Sequence, residues 1–415
     1  MFLSLLQRRN AALLDAAAML HALGDLPTNT YAIDLDAVKK NASAFVNEAT
    51  RLGLRAFAMT KQIGRNPDVS QALVQSGLTH AVGVDLECAI AATTGGLRVG
   101  HLGHLVQIPR HQAAVAASLE PLYWTVFNET KAREAGAAAL NQGRIQDVLL
   151  RVVDVGDQFY TGHEGGFALD DIVAAAKRID TIPGVRFAGL TTFPATLFDP
   201  VSATAKATPN RRTLTEARNR LLAAGRVDIE INAPGTTSVS ILESLAADGA
   251  TQVEPGHGLT GTTPLHAVQD LIEEPAIAYV SEVSHLWNGS AYVFGGGLYV
   301  DPVLGDSRTE ALIVPPTATS TSDAIKLRVD MPAPGSIDYY ASIPLSHNHG
   351  VSVGDTVIFG FRPQVFVSRA LTAAISGIST GHPHVEGIWS SDGSAPLSPS
   401  LSRANQENRT LPWTP

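Results

Sequence analysis

From about Thr30 to Gly261, short apolar runs alternate with longer stretches whose apolar residues recur every three or four positions. The runs are Tyr31–Leu35, Arg55–Thr60, His80–Val84, Leu97–Leu102, Leu122–Val126, Asp147–Val153, Arg186–Thr191 and Val227–Ile231. Between them lie alanine-rich amphipathic segments such as Asp36–Leu52, Asn66–Ser76, Asn128–Asn141, Asp170–Asp180 and Asn210–Ala224. Strands alternating with helices predict right-handed crossovers and a parallel sheet. Eight such units in roughly 230 residues have the count and length of a (β/α)8 TIM barrel, whereas a doubly wound open sheet usually has fewer strands.

After about His266 the helical period fades. β-branched runs take over at Ala276–Val283, Ala291–Phe294, Ala311–Val314, Ile325–Val329, Thr356–Phe361 and Gln364–Val367, separated by glycine, proline and aspartate turns. This pattern predicts a mainly antiparallel β domain. The expected organisation is an N-terminal helix over residues 1–28, a barrel over 29–265, a β domain over 266–380 and an extended C-terminal tail over 381–415.

Composition narrows the class. Hydrophobic residues make up 45% of the 415, enough for a large core, and charged residues 17%. The net charge of −9 comes from mixed acidic and basic residues, without the basic stripe of a nucleic-acid binder. The single cysteine, Cys88, excludes an internal disulfide and fits a reducing cytoplasm. Arg8, Arg9 and Asn10 interrupt the apolar start of the chain, which reads as an amphipathic helix rather than a signal peptide. No stretch is long enough to span a bilayer, so neither a membrane nor a nucleic acid is an expected partner.

Three features carry candidate chemistry. Lys61 follows the apolar run AFAMT, at the strand end where barrels place their functional groups. Partial desolvation there would leave its amine nucleophilic enough to form a Schiff base. The segment NAPGTTSVS, Asn232–Ser240, sets Gly235, Thr236 and Thr237 in a donor-rich turn ahead of a helix expected near Ser238, a pattern suited to phosphate. It is equally a plain N-cap. The segment VEPGHGLTG, Val253–Gly261, buries Glu254 among apolar residues, where a carboxylate would hold a pyridine nitrogen protonated or form a structural ion pair.

Together these features resemble the fold-type III pyridoxal-phosphate enzymes, which include alanine racemase and the eukaryotic ornithine decarboxylases. The resemblance covers about Thr30 to Arg369. YAIDLDAVKKN (Tyr31–Asn41) is similar to the family's opening strand and helix, and AFAMTKQIGRNP (Ala56–Pro67) to its cofactor-lysine segment, in the form of the YhfX-type subgroup. The resemblance implies pyridoxal 5'-phosphate as cofactor, Lys61 as its Schiff-base lysine and Glu254 on its ring nitrogen. It places Gly256 and His257 at phosphate positions. Alanine racemases carry an arginine where Glu254 stands, and an arginine-bearing loop where this chain has DVGDQFYTGHEGGF (Asp154–Phe167), which lacks one. His163 in that loop and Thr192 after the next strand are candidate substrate contacts.

The β domain of such enzymes delivers the second catalytic group, usually into a partner's barrel, which implies a homodimer. PGSIDYYASIP (Pro334–Pro344) resembles that segment: Asp338 matches a substrate-binding aspartate, and Tyr339 or Tyr340 is the candidate acid–base group. Strand alternation allows one of the two tyrosines to face the site. The pairs His101/His104, His347/His349 and His382/His384 invite a metal reading, but no metal is expected. The expected function is racemisation or epimerisation at the Cα of an amino acid. The alternatives are a lyase (a decarboxylase or D-amino-acid aldolase), a non-catalytic cofactor carrier, and a barrel that binds a phosphorylated substrate without any cofactor.

Overall fold

The structure, a computed structural model, describes residues 1–301, 309–318, 320–333, 336–347 and 349–394. The chain forms two compact units, one from residues 42–60 and 73–259, the other from 1–41, 61–72 and 260 onward.

The first unit is the barrel. Its parallel strands are Arg55–Ala56, His80–Gly83, Arg98–Leu102, Tyr123–Val126, Gln146–Val153, Val185–Thr191, Glu230–Asn232 and Gln252–Val253, and from His80–Gly83 onward each is hydrogen-bonded to the next. The last pairs with the first through Gln252↔Arg55 and Val253↔Ala56, and a bridge between Ala58 and Ala81 completes the ring. Alternation sorts the side chains by face. On Gln146–Val153, Val148, Leu150 and Val152 pack outward with helix residues such as Ala135, Ala175 and Ile179. Leu149 instead joins Phe57, Val82 and Tyr123 inside the barrel.

One expected barrel strand lies elsewhere. Thr30–Asp34 pairs antiparallel with Ile277–Trp287 and parallel with Leu371–Ser376, in the sheet of the second unit. All five of its residues are buried, Ala32 against the N-terminal helices and Tyr31 against Tyr279 and Phe361. A strand covered on both faces carries no pattern that says which sheet it joins. The barrel keeps eight strands because Gln252–Val253, too short to stand out in the sequence, supplies the eighth. Lys61 therefore follows the first barrel strand and the Gly235 turn follows the seventh.

The second unit is built on a sheet in the order Ile325–Arg328, Glu310–Val314, Thr356–Phe359, Ile277–Trp287, Thr30–Asp34, Leu371–Ser376, His384–Ser390. Ser290–Phe294 and Tyr340–Pro344 extend it from Ile277–Trp287. Gln364–Val367, expected as a strand, holds a 3-10 turn at Val365–Val367. His384–Ser390, expected in an extended tail, is a paired strand; residues 395–415 of that tail lie outside the described residues. The N-terminal helix is two helices, Phe2–Arg9 and Ala11–Ala22, because Asn10 breaks the first and caps the second by accepting from the Leu13 N–H. Among the described residues no helix is long and apolar enough to cross a membrane.

His21, on the second of these helices, is buried between Thr356, 2.8 Å from its Nδ1, and Glu282, 3.6 Å from its Nε2. Burial pushes the imidazole down to about 4. The unfolded chain therefore binds a proton that the folded one refuses between that value and the ordinary value near 6.5. Stability should be fully present above about pH 6.5 and fall as pH drops towards 4, by at most about 3 kcal/mol. Urea midpoints measured across that window should lose much of this slope in His21→Gln.

Candidate active site

The barrel interior changes character along its axis. Below, Leu149 packs with Phe57 and Val82. Above, at the C-terminal ends of the strands, the inward positions are polar. Arg151 stands in register with Thr191, and Thr191 with Asn232. Two residues past Gln252 on the last strand is Glu254, and His101 and Thr125 complete the layer. Functional groups of barrel enzymes collect at this end.

Glu254 is the centre of that layer. Its carboxylate is fully buried, and Oε1 accepts from His101 Nδ1 at 2.5 Å and from Asn232 Nδ2 at 3.0 Å. His101 Nε2 lies 2.5 Å from Thr125 Oγ1, and Asn232 Oδ1 accepts from Thr191 Oγ1 at 2.7 Å. Burial alone would push the Glu254 carboxyl up. His104 and His101, with hydrogen bonds from His101 and Asn232, outweigh it and hold the group below the ordinary carboxylate value. Its second oxygen, Oε2, receives no hydrogen bond among the described residues; His104 Nε2 stands 3.5 Å away. A buried carboxylate with one oxygen satisfied and the other open fits a protonated ring nitrogen.

His101, His104 and Glu254 also have ligand-type atoms within 4.8 Å of one another. Both nitrogens of His101 are engaged by Glu254 and Thr125, so the cluster reads as a hydrogen-bonded support for the carboxylate. Among the described residues, the other two histidine pairs gather no third ligand.

The expected phosphate segments meet one another. A Cβ on Gly258 would lie 2.6 Å from the Thr237 carbonyl, so the turn after Glu254 packs directly on the turn after Asn232. His257 and Thr237 are buried there. Three N–H groups, on Thr237, Gly256 and Gly258, donate to no acceptor among the described residues, a small backbone cradle suited to an anion. One part of the expectation needs correction. The Thr236 N–H is spent on the Thr196 carbonyl at 2.9 Å, and Gly235 is pressed against the same residue. No full helix starts at Ser238: a 3-10 turn, Val239–Ile241, leads into the six-residue helix Leu242–Ala247. The strand Thr196–Asp199, invisible as a partner in the sequence, claims that donor.

Lys61 is half-buried in a 3-10 turn, Thr60–Ile63, with Nζ 4.5 Å from the centre of the Phe366 ring. The turn is held by the second unit's sheet. A Cβ on Gly64 would meet Thr372 Cγ2 at 2.5 Å, and Asn66 donates to Thr372 Oγ1 while capping the helix Pro67–Gln75. The Asp338 carboxylate accepts from the Gly296 and Leu298 N–H groups and from Arg369 at 2.6 Å, so it clamps the segment Gly295-Gly296-Gly297. Tyr339 and Tyr340 are 61% and 42% exposed; Pro334 and Gly335 before them lie outside the described residues. In the barrel, His163 lies against Phe193 and Tyr160, and Thr192 is fully buried.

The comparisons with known proteins agree with this architecture. Residues 33–264 match the alanine racemase N-terminal domain, and residues 278–385 the YhfX-like C-terminal domain. The chain belongs to the fold-type III pyridoxal-phosphate enzyme family. Within it, the chain is 38% identical over 395 residues to the uncharacterized protein YhfX of Escherichia coli (strain K12), covering 95% of this chain and 99% of that one. Solved structures of the family share the fold at low identity. D-threonine aldolase from Filomicrobium marinum superposes with a TM-score of 0.63 at 15% identity, over 89% of this chain and 96% of its own. Alanine racemase from Clostridium difficile 630, in complex with cycloserine, gives 0.60 at 15%, over 88% and 99%. D-threo-3-hydroxyaspartate dehydratase from Delftia sp. HT23 gives 0.59 at 17%, over 88% and 97%.

Sequence reasoning named Lys61, Glu254 and His257 but treated His101 and His104 only as a metal pair, and passed over Arg151 and Asn232. A charged residue in the apolar run VLLRVV was the available signal for Arg151.

Replacing His101 by Ala removes the shortest hydrogen bond to a fully buried carboxylate. It should lower stability by about 2–4 kcal/mol, read from the shift of the urea midpoint.

Proposed function

We propose that this protein is a pyridoxal-phosphate enzyme acting at the Cα of an amino acid, with racemisation or epimerisation as its leading reaction. The observation that carries the reading is Glu254, buried and held ionised, with Oε2 accepting no hydrogen bond among the described residues and His104 Nε2 3.5 Å away. Pyridoxal phosphate, when bound, supplies a ring that withdraws electrons from the substrate's Cα and so acidifies its hydrogen. Glu254 would keep a proton on the ring nitrogen. The cradle of Thr237, Gly256, His257 and Gly258 would hold the phosphate. Lys61 would anchor the cofactor and move the Cα proton on one face. The exposed Tyr339 or Tyr340 of a second copy of the chain would move it on the other, so the working form is a homodimer.

A lyase is the second reading, and Glu254 favours it. Where alanine racemases place an arginine, this chain holds a carboxylate ionised with His101, His104 and Asn232. A firmly protonated ring supports decarboxylation or aldol cleavage as well as proton transfer.

Borohydride reduction of the protein with pyridoxal phosphate should attach a pyridoxyl group to the peptide containing Lys61. Incubation in deuterium oxide with L- and D-amino acids should show Cα–H exchange with inversion. Lys61→Ala should abolish the label and lower exchange by at least about 1,000-fold. Carbon dioxide or aldehyde release without inversion would select the lyase, and a wild-type protein that takes no label would overturn both readings.

A further inference from the structure

The mouth of the barrel opposite the candidate active site carries an open cleft of about 450 Å3, within the ~300–1,000 Å3 of small-molecule sites. Its walls are the N-terminal ends of three neighbouring strands, Arg55–Ala56, Gln252–Val253 and Glu230–Asn232, and the turns that lead into them. Arg55, Asp228, Glu230 and Thr251 supply its polar groups, and Leu54 and Ile229 its apolar ones.

Part of this polar lining serves the fold. Glu230 Oε1 accepts from the Tyr123 hydroxyl at 2.8 Å, and Oε2 accepts from Thr251 Oγ1 at 2.6 Å and Gln252 Nε2 at 2.9 Å. Burial pushes the Glu230 carboxyl up, but the hydrogen bonds from Thr251, Tyr123 and Gln252 outweigh it and hold the group below the ordinary carboxylate value. Burial and Glu230 push the Tyr123 phenol up to about 12, so it keeps its proton and donates. Arg55 Nη1 donates to the Tyr123 hydroxyl and lies 3.4 Å from Glu230 Oε1. The network leaves two opposite charges unanswered. The Arg55 side chain is 47% exposed, and its Nε and Nη2 donate to nothing among the described residues. Those two nitrogens form the edge that grips a carboxylate with parallel bonds. Asp228 is exposed, and among the described residues its carboxylate accepts no hydrogen bond and joins no ion pair. A lone anion or a lone cation would answer one of these charges. A molecule that carries both a carboxylate and an ammonium answers the two together.

We infer that this cleft binds a free amino acid as a zwitterion, its carboxylate on Arg55 and its ammonium on Asp228, and is an effector site for the opposite mouth of the barrel. The route between the two is short. Thr251 stands three residues before Glu254, and Glu230 two residues before Asn232, whose side chain donates to Glu254 Oε1. Gln252 ties the two strands together: its side chain donates to Glu230, and its backbone pairs with Asn232. A ligand that draws Arg55 away from Glu230 therefore acts on the strands that hold Glu254, packed elements of the kind that carry coupling between sites. The binding site stands apart from the function proposed above, and its effect on the cofactor rests on that function.

Titration calorimetry of the cofactor-free protein with a panel of L- and D-amino acids tests the binding. At least one should bind wild type, and its N-acetyl and carboxamide derivatives should each bind at least about tenfold more weakly. Asp228 has a φ of 53°, which asparagine also tolerates, so Asp228→Asn should keep the fold and weaken the amino acid at least about tenfold. Arg55→Gln should do the same, with Arg55→Lys, which keeps the charge and guards against a folding defect, in between. Lys61→Ala should bind as wild type does. A panel without a ligand would overturn the inference. So would a derivative that binds as well as the parent, or affinity lost in Lys61→Ala and kept in Asp228→Asn. The effector role is read with pyridoxine 5'-phosphate, which lacks the aldehyde and does not react with amino acids. Filling the cleft should change its dissociation constant about fivefold or more in wild type and leave it unchanged in Asp228→Asn. An equal change in both proteins, or none in wild type, would overturn that role. A wild type that takes no pyridoxine 5'-phosphate would sink the proposed function and the effector role together, while the calorimetry decides the binding site by itself.

Discussion

The structure of the site depends on one constraint, an ionised carboxylate inside a barrel. Moving Glu254 out of water costs several kcal/mol unless hydrogen bonds and opposite charge replace its hydration. Two groups, His101 and Asn232, replace it at Oε1, and each is fixed in turn by a threonine, Thr125 and Thr191. These five residues come from five different strand ends. The barrel closes with this network intact, so the polar layer is part of the fold. Oε2 is the part of the carboxylate that the network leaves for something else.

The same layer treats its two buried charges differently. Glu254 is supported from the sides and lies below the ordinary carboxylate value, whereas Arg151 is covered by aromatic faces and lies below the ordinary guanidinium value. Neutralising both internally would give a more stable and inert barrel. Leaving donors open on Arg151 and an acceptor open on Glu254 is the arrangement expected of groups whose partners arrive from solution.

The second unit fixes the Lys61 turn. Its sheet holds the Lys61 turn through Gly64, which has no room for a Cβ beside Thr372, and through Asn66, which bonds Thr372 while starting the next helix. Tyr339 and Tyr340 are contrasting cases, exposed rather than held by such contacts.

Much of this was legible in the chain. The strand–helix period identified the barrel, because one face of each helix and most strand positions must be apolar for it to pack. Lys61 and Glu254 stood out because polar residues beside apolar runs are costly without a purpose, and His257 through the resemblance to the family's phosphate segment. Other features were hidden for physical reasons. Thr30–Asp34 is buried on both faces, so its composition could not say that it belongs with Ile277–Trp287 and Leu371–Ser376 rather than in the barrel. Gln252–Val253 is too short to show a period. The partner of the Thr236 N–H lies 40 residues away in sequence, at Thr196. By itself the sequence determined the two architectures and drew attention to Lys61, since these follow from local periodicity and from where apolar runs end. Only the tertiary structure decided which donors surround Glu254, which strand joins which sheet, and that Arg151 faces inward without a counter-charge, because each of those depends on contacts between residues far apart along the chain.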